Sequence, residues 1–234
     1  MKRTTGKEQQ RPWRLPFGLE ILYEDDDILV VFKPEGLLSV SAAGEKNRTA
    51  YWILNEYLRR RGKRQQVAVV HRLDRDTSGV MVFAKTAAMK KALMDNWDSL
   101  VVARSYVAVV EGFISEPEGT IDLPLMEDAR TRVVIAPPGR GQRAITHWKL
   151  LRSGPRFSLL SLELETGRRN QIRVHCAAIG HPIVGDPKYG SRSDPLGRLG
   201  LHAETLAFHH PRTQALLEFS VPPPASFTSA KLYR

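Results

Sequence analysis

Residues 71–79 read HRLDRDTSG, placing Asp74 and Asp76 among Arg72 and Arg75, with a histidine and two hydroxyl side chains alongside. A second charged cluster, ETGRRNQIRVH at 165–175, carries Arg168, Arg169 and Arg173. A carboxylate that attacks carbon or takes a proton must stay ionised in a pocket that excludes water, and desolvation works against that charge. A neighbouring guanidinium offsets the desolvation. Arg suits the task better than Lys because its planar fork fixes the carboxylate's orientation and does not lose its proton. The same pairing also describes an ordinary structural ion pair, so the two clusters alone leave both readings open. Asp76 reads as a loop-fixing acceptor, with Thr77 and Ser78 tying down the same turn.

Other chemistries fit these residues less well. HRLD resembles a kinase catalytic loop faintly, but no glycine-rich phosphate loop or lysine strand with the required spacing precedes it. His175 and His181 flank Cys176 at a spacing unlike that of a zinc helix or knuckle, so no metal is expected.

These side chains need elements to hold them. Two β-prone runs, 67–70 and 80–84, flank the first motif, which makes it a loop at strand ends. Residues 19–34 form a hairpin-like opening around the acidic turn 25–27. Thr49 caps a helix whose stripe is Tyr51, Leu54, Tyr57 and Leu58, and the basic run 59–64 follows at its C-terminal end, where cations suit the helix dipole. Thr86 caps a second helix with Met89, Leu93 and Trp97 on one face. Further strands are predicted at 106–110, 147–151, 157–164, 206–209 and 216–221. A helix over 169–180 stops at Gly180, and 136–142 (APPGRGQ) is a long exposed loop. Strands outnumber helices without alternating regularly with them. The fold class is therefore α+β, a mixed, largely antiparallel sheet with flanking helices.

The chain has 234 residues, with 35 Lys and Arg against 25 Asp and Glu, a net charge of +10 that points to a polyanionic partner. Cys176 is the only cysteine, which rules out an intrachain disulfide and fits a reducing cytoplasm. No stretch approaches the roughly 20 apolar residues of a membrane-spanning helix. The opening MKRTTGKEQQRPWR is basic and polar, unlike a secretory signal.

Three blocks, taken together, resemble the RluA-type family of pseudouridine synthases: VVFKPEGLLSV (30–40), HRLDRDTSGVMVFAKT (71–86) and TGRRNQIRVHCAAIGHPIVGDPKYG (166–190). They stand in the family's order and, with weaker matches between, span residues 19–222. The resemblance implies that family's fold, with a central RNA-binding cleft. It also implies an enzyme that detaches uracil from its ribose, turns it and rejoins it through carbon, without cofactor or metal. By resemblance Asp74 is the essential carboxylate, acting as nucleophile or as base at the sugar. Arg173 pairs with it, Tyr106 stacks on the target base, and Arg72 moves into the space the flipped nucleotide leaves. Arg168 is expected to contact RNA. Residues 126–148 stand where the family carries a long loop that pinches RNA, and Arg130, Arg132, Arg140 and Arg143 give it the matching charge. Phosphate contacts of that kind position a substrate without reading its sequence.

The sequence departs from the family's commoner text after TGR, where Arg169 and Asn170 replace a threonine or serine followed by histidine. Neither is taken as a catalytic position. The expected organisation is a flexible basic arm (1–17), a catalytic domain (18–224) and a C-terminal tail (225–234), without the small S4-like RNA-binding domain of many relatives. The expected partner is RNA, ribosomal RNA of the large subunit first and transfer RNA next. No membrane and no obligate protein partner are expected, and the chain is read as a monomer. Two rival classes are a non-catalytic RNA-binding or ribosome assembly factor and a metal-dependent nuclease using Asp74 and Asp76.

Overall fold

The computed structural model describes residues 13–41 and 44–234. Strands β1 (Trp13–Arg14), β2 (Glu20–Glu24) and β3 (Ile28–Lys33) open the chain. The β2–β3 turn closes on Asp25, whose Oδ1 accepts the N–H groups of Asp27 and Ile28 at 2.7 and 2.8 Å. Helix α1 (Ala50–Arg60) starts where the Thr49 side chain accepts the Trp52 N–H at 3.1 Å, and it buries Ile53, Leu54 and Leu58. Strands β4 (Ala68–Val69) and β5 (Ser78–Ala84) bracket the HRLDRDTSG loop. Helix α2 (Ala87–Asp95) is capped by Thr86 in the same way. It does not run on through Trp97 as the periodicity predicts. Asn96 leaves helical geometry and turns its amide back onto the Ala92 carbonyl at 3.0 Å, so α3 (Trp97–Leu100) begins a separate turn.

Next come β6 (Val101–Glu111), β7 (Glu118–Asp122), β8 (Leu125–Glu127), β9 (Val133–Ile135), β10 (Ile145–Ser153), β11 (Phe157–Leu164), α4 (Gln171–Ala178), β12 (Leu201–His209), β13 (Leu216–Ser220) and α5 (Ala225–Thr228). Among the described residues eleven strands make one sheet in the order β1-β2-β3-β5-β12-β6-β11-β10-β7, with β13 on β12 and β4 on β5, while β8 and β9 pair by themselves. Every pairing is antiparallel except the central β5–β12 seam, where His202 faces Ser78 and Ala203 faces Gly79. Gly79 is required there, because a Cβ at that position would lie 2.1 Å from the Ala203 carbonyl oxygen.

Period-two alternation assigns the faces. Leu29, Val31, Met81 and Phe83 pack toward α1, while Ile28, Val30, Val80 and Val82 pack toward α2. Along β6, Ala108 and Val110 pack with α4, and Val107 and Val109 pack with Phe227 of α5. Tyr106 packs against both the α1 cluster and the α4 cluster. Those helices therefore share one face of the sheet, with Tyr106 between them.

Both chain ends depart from expectation. Residues 1–12 of the expected arm lie outside the described residues, but Trp13 and Arg14 pair with Ile21 and Glu20 as an edge strand. Residues 225–234 do not form a tail: Phe227 and Tyr233 are buried in the core, because the face of β6 and β11 opposite α4 needs a cover. No helix among the described residues is long and apolar enough to cross a membrane.

Candidate active site

Asp74 sits on the loop that leads into β5, and both of its neighbours are pinned by the end of β3 and the segment after it. Ser39 Oγ donates to the Leu73 carbonyl at 2.7 Å and accepts the Leu73 N–H at 3.2 Å. Lys33 Nζ donates to the carbonyls of Arg75, Leu37 and Pro34 at 2.9, 2.8 and 2.8 Å. Burial pushes Lys33 down to about 7, against the pull of Asp76 and Asp74. Removing this amine strands three carbonyls, and that loss outweighs the relief of a buried charge. Lys33→Met should therefore lower the unfolding free energy by about 2–4 kcal/mol. Chemical denaturation checks this; an equally stable variant would mean the lysine does not clamp the loop.

Opposite the loop, Arg173 of α4 uses its planar fork on two carboxylates. Nε and Nη2 donate to Asp186 Oδ2 and Oδ1 at 2.7 and 2.9 Å, and Nη1 donates to Asp74 Oδ2 at 2.9 Å. Burial disfavours the guanidinium charge, but the bonds and charges of Asp186, then Asp74, raise its pKa above the usual arginine value. The Asp186 side chain is 1% exposed and that of Asp74 29%. Asp186 is thus the buried anchor and Asp74 the carboxylate presented to the outside. Asn170 also touches Asp74. With its amide nitrogen toward the carboxylate it donates to Oδ1 and Oδ2 at 3.0 and 2.8 Å, and its oxygen accepts from the Tyr189 hydroxyl at 2.9 Å. The reverse orientation would set an amide oxygen against a carboxylate.

Tyr106 reaches the same place through sheet register. It lies opposite Ala203, which lies opposite Gly79, so two strand spacings of about 4.8 Å separate it from the end of the Asp74 loop. Desolvation pushes its hydroxyl up to about 12, leaving a neutral phenol at neutral pH. Arg72, Asp74, Tyr106, Arg168, Asn170 and Arg173 line a chamber of about 60 Å³. The chamber opens into a cleft of about 760 Å³ walled by His71, Arg72, Trp97, Arg104 and Arg168. His71 accepts the Val82 N–H through Nε2 at 3.1 Å and lies against Trp97, and burial pushes it down to about 3. It is a neutral wall of the cleft.

The sequence pattern of the RNA pseudouridylate synthase family matches residues 27–178. The RNA pseudouridine synthase YlyB of Bacillus subtilis is 40% identical over 213 residues, covering 89% of this chain and 70% of that protein. The chain belongs to the RNA pseudouridylate synthase family. Ribosomal large subunit pseudouridine synthase D of Haemophilus influenzae is 36% identical over 223 residues, covering 89% of this chain and 68% of that protein. The solved structure of human RNA pseudouridylate synthase domain containing 1 superposes with a TM-score of 0.72 at 28% identity, over 88% of this chain and 84% of that one.

In this synthase the expected RNA-facing arginines divide into two groups. All five of Arg130, Arg132, Arg140, Arg143 and Arg168 are exposed, but Arg130, in the β8–β9 turn, and Arg140, in the loop that follows β9, make no side-chain hydrogen bond among the described residues. Arg132 instead donates to the Lys188 carbonyl and lies 5.1 Å from the Tyr189 ring centre. Arg143 donates to Glu165 at 2.6 Å, and Arg168 donates to the Arg143 carbonyl at 3.1 Å. Asp76 is exposed and makes no side-chain hydrogen bond among the described residues. It is not the loop's fixing acceptor; Lys33 and Ser39 hold the loop from the other side. Ser78 bonds away from the turn, to His202 at 2.8 Å and Arg198 at 2.8 Å.

Sequence reasoning missed Asp186, which lies in GDPKYG, a stretch that by itself reads as a turn. It also set aside Asn170. The available signal was a residue that tolerates left-handed backbone, placed at the start of the arginine helix.

Elsewhere Asp25, Asp27 and His210 approach within 4.8 Å of one another. His210 Nδ1 accepts the N–H groups of Arg212 and Thr213 at 3.1 and 3.2 Å, which leaves the ring proton on Nε2, facing the carboxylates. Nε2 therefore has no lone pair for a metal, and Arg212 already pairs with Asp27.

Proposed function

We propose that this synthase isomerises uridine in ribosomal RNA of the large subunit, with Asp74 as the reacting carboxylate. The observation that carries this is the Asp74 carboxylate, gripped by Arg173 and left open to a cleft that also contains Tyr106. The N1–C1′ bond of the uridine breaks and a C5–C1′ bond forms, while the C5 proton passes to solvent and N1 takes one up, so mass is unchanged. The target leaves its stack at a cost of a few kcal/mol, and stacking on Tyr106 returns about 1–3 kcal/mol. Arg72, at the mouth of the cleft, fills the gap in the helix. The relative named for the ribosomal large subunit supports ribosomal RNA. The single buried thiol, Cys176, supports action in a reducing cytoplasm, and the scattered exposed apolar side chains fit a monomer.

The test incubates unmodified large-subunit ribosomal RNA and transfer RNA transcripts with the protein and maps pseudouridine by chemical labelling and primer extension. A discrete site in ribosomal RNA is expected; conversion of transfer RNA alone would overturn the substrate assignment.

Arg130 and Arg140 supply affinity in this account. For every RNA phosphate that a protein cation ceases to neutralise, the slope of log affinity against log salt falls by roughly 0.7–0.9. The pair Arg130→Gln and Arg140→Gln should therefore reduce that slope by about 1.5. Filter binding across a salt series measures it, and an unchanged slope removes both residues from the RNA path.

A further inference from the structure

We propose that Asn170 is a positioning residue: its amide straddles both oxygens of Asp74, whose acceptor-only carboxylate sets the amide's direction, and the Tyr189 hydroxyl holds the amide's other end. Arg173 gives Asp74 a single donor, Nη1, because the rest of its fork is committed to Asp186. One bond to one oxygen leaves a carboxylate free to turn about its Cβ–Cγ bond. A second donor reaching Oδ1 stops that rotation, and the Asn170 nitrogen supplies it at 3.0 Å.

The local backbone supports this role over a structural one. Asn170 occupies the N-cap position of α4, where an asparagine ordinarily turns its side chain onto the helix's own N–H groups. Here it makes no such cap. Its left-handed backbone, φ 54° and ψ 18°, aims the amide at the Asp74 loop instead. Tyr189 serves both holders of Asp74. It is buried, its hydroxyl meets Asn170, and its ring centre lies 5.0 Å from the Arg173 guanidinium.

The proposal rests on Asp74 being the reacting carboxylate. Its test measures kcat and KM from the release of tritium out of a large-subunit ribosomal RNA transcript labelled at uridine C5, the position that loses its hydrogen. Asn170→Gly keeps the left-handed backbone and removes only the side chain. It should lower kcat on the order of 10- to 100-fold with KM within about twofold, as misplacement of a reacting group does. Asn170→Asp keeps the shape but turns a carboxylate toward a carboxylate, and should lose more. Asn170→His, which again offers an N–H, should regain part of the loss. Tyr189→Phe should lower kcat less than Asn170→Gly. Wild-type kcat in Asn170→Gly, or a loss carried by KM or by thermal stability, overturns the positioning role. Asp74→Asn, run in parallel, separates the two ideas. If it is dead while Asn170→Gly runs at full rate, only the Asn170 proposal fails; if it still turns over, both fail.

Discussion

Asp74→Asn is expected to abolish uridine isomerisation, by on the order of 10⁴-fold or more, while RNA affinity stays within about twofold. The substitution preserves shape. Arg173 keeps its two bonds to Asp186, so α4 stays anchored, and the side-chain oxygen of an asparagine still accepts from Nη1. The anion is what disappears. A neutral amide neither attacks the sugar carbon nor takes a proton from it, and no other carboxylate among the described residues lines the chamber to replace it. In the proposed account RNA affinity lives elsewhere, on exposed cations such as Arg130 and Arg140. Tritium release and filter binding on one preparation separate the two quantities. Parallel loss of both would mean Asp74 holds the site together.

The second large effect comes from Arg173→Met. Because Asp186 is 1% exposed and loses both of its guanidinium bonds, this change strands a buried charge, which costs about 3–5 kcal/mol of stability. It also frees the Asp74 carboxylate from its guanidinium bond, so activity should fall on the order of 10²- to 10³-fold. The double variant Arg173→Met with Asp186→Asn distinguishes the two consequences. Neutralising Asp186 removes the stranded charge, and stability should recover by about 2 kcal/mol or more while activity stays low. Recovery of activity along with stability would show that Arg173 acts only as a fold anchor.

The same pair shows how far the sequence could be read. HRLDRDTSG is legible as a loop because β-prone runs stand on both sides, and Thr49 and Thr86 are legible as caps because the signal is local. Strand β11 lies where its pattern places it. Asp74 and Arg173, by contrast, meet across 99 residues, and Lys33 reaches the Arg75 carbonyl across 42. Periodicity carries no record of such contacts; only the family resemblance joined Asp74 to Arg173, and nothing joined Lys33, Asp186 or Asn170 to the site. The short strands β7, β8 and β9 were missed for another reason. They are three to five residues long; β7 and β8 carry Glu118, Asp122 and Glu127 and so depend on a neighbour rather than on their own apolar pattern, while β9, apolar throughout, is only three residues long. Residues 225–234 hide their role in the same way, since Phe227 and Tyr233 read as core only once β6 and β11 present a face to cover.

The measurement that bears most directly on the account is pseudouridine mapping in total RNA from cells that lack this protein, after incubation with the wild-type chain or with Asp74→Asn. The account predicts a discrete new pseudouridine in large-subunit ribosomal RNA with the wild-type chain and none with the variant. The same new site produced by Asp74→Asn, or no site produced by either, would contradict it.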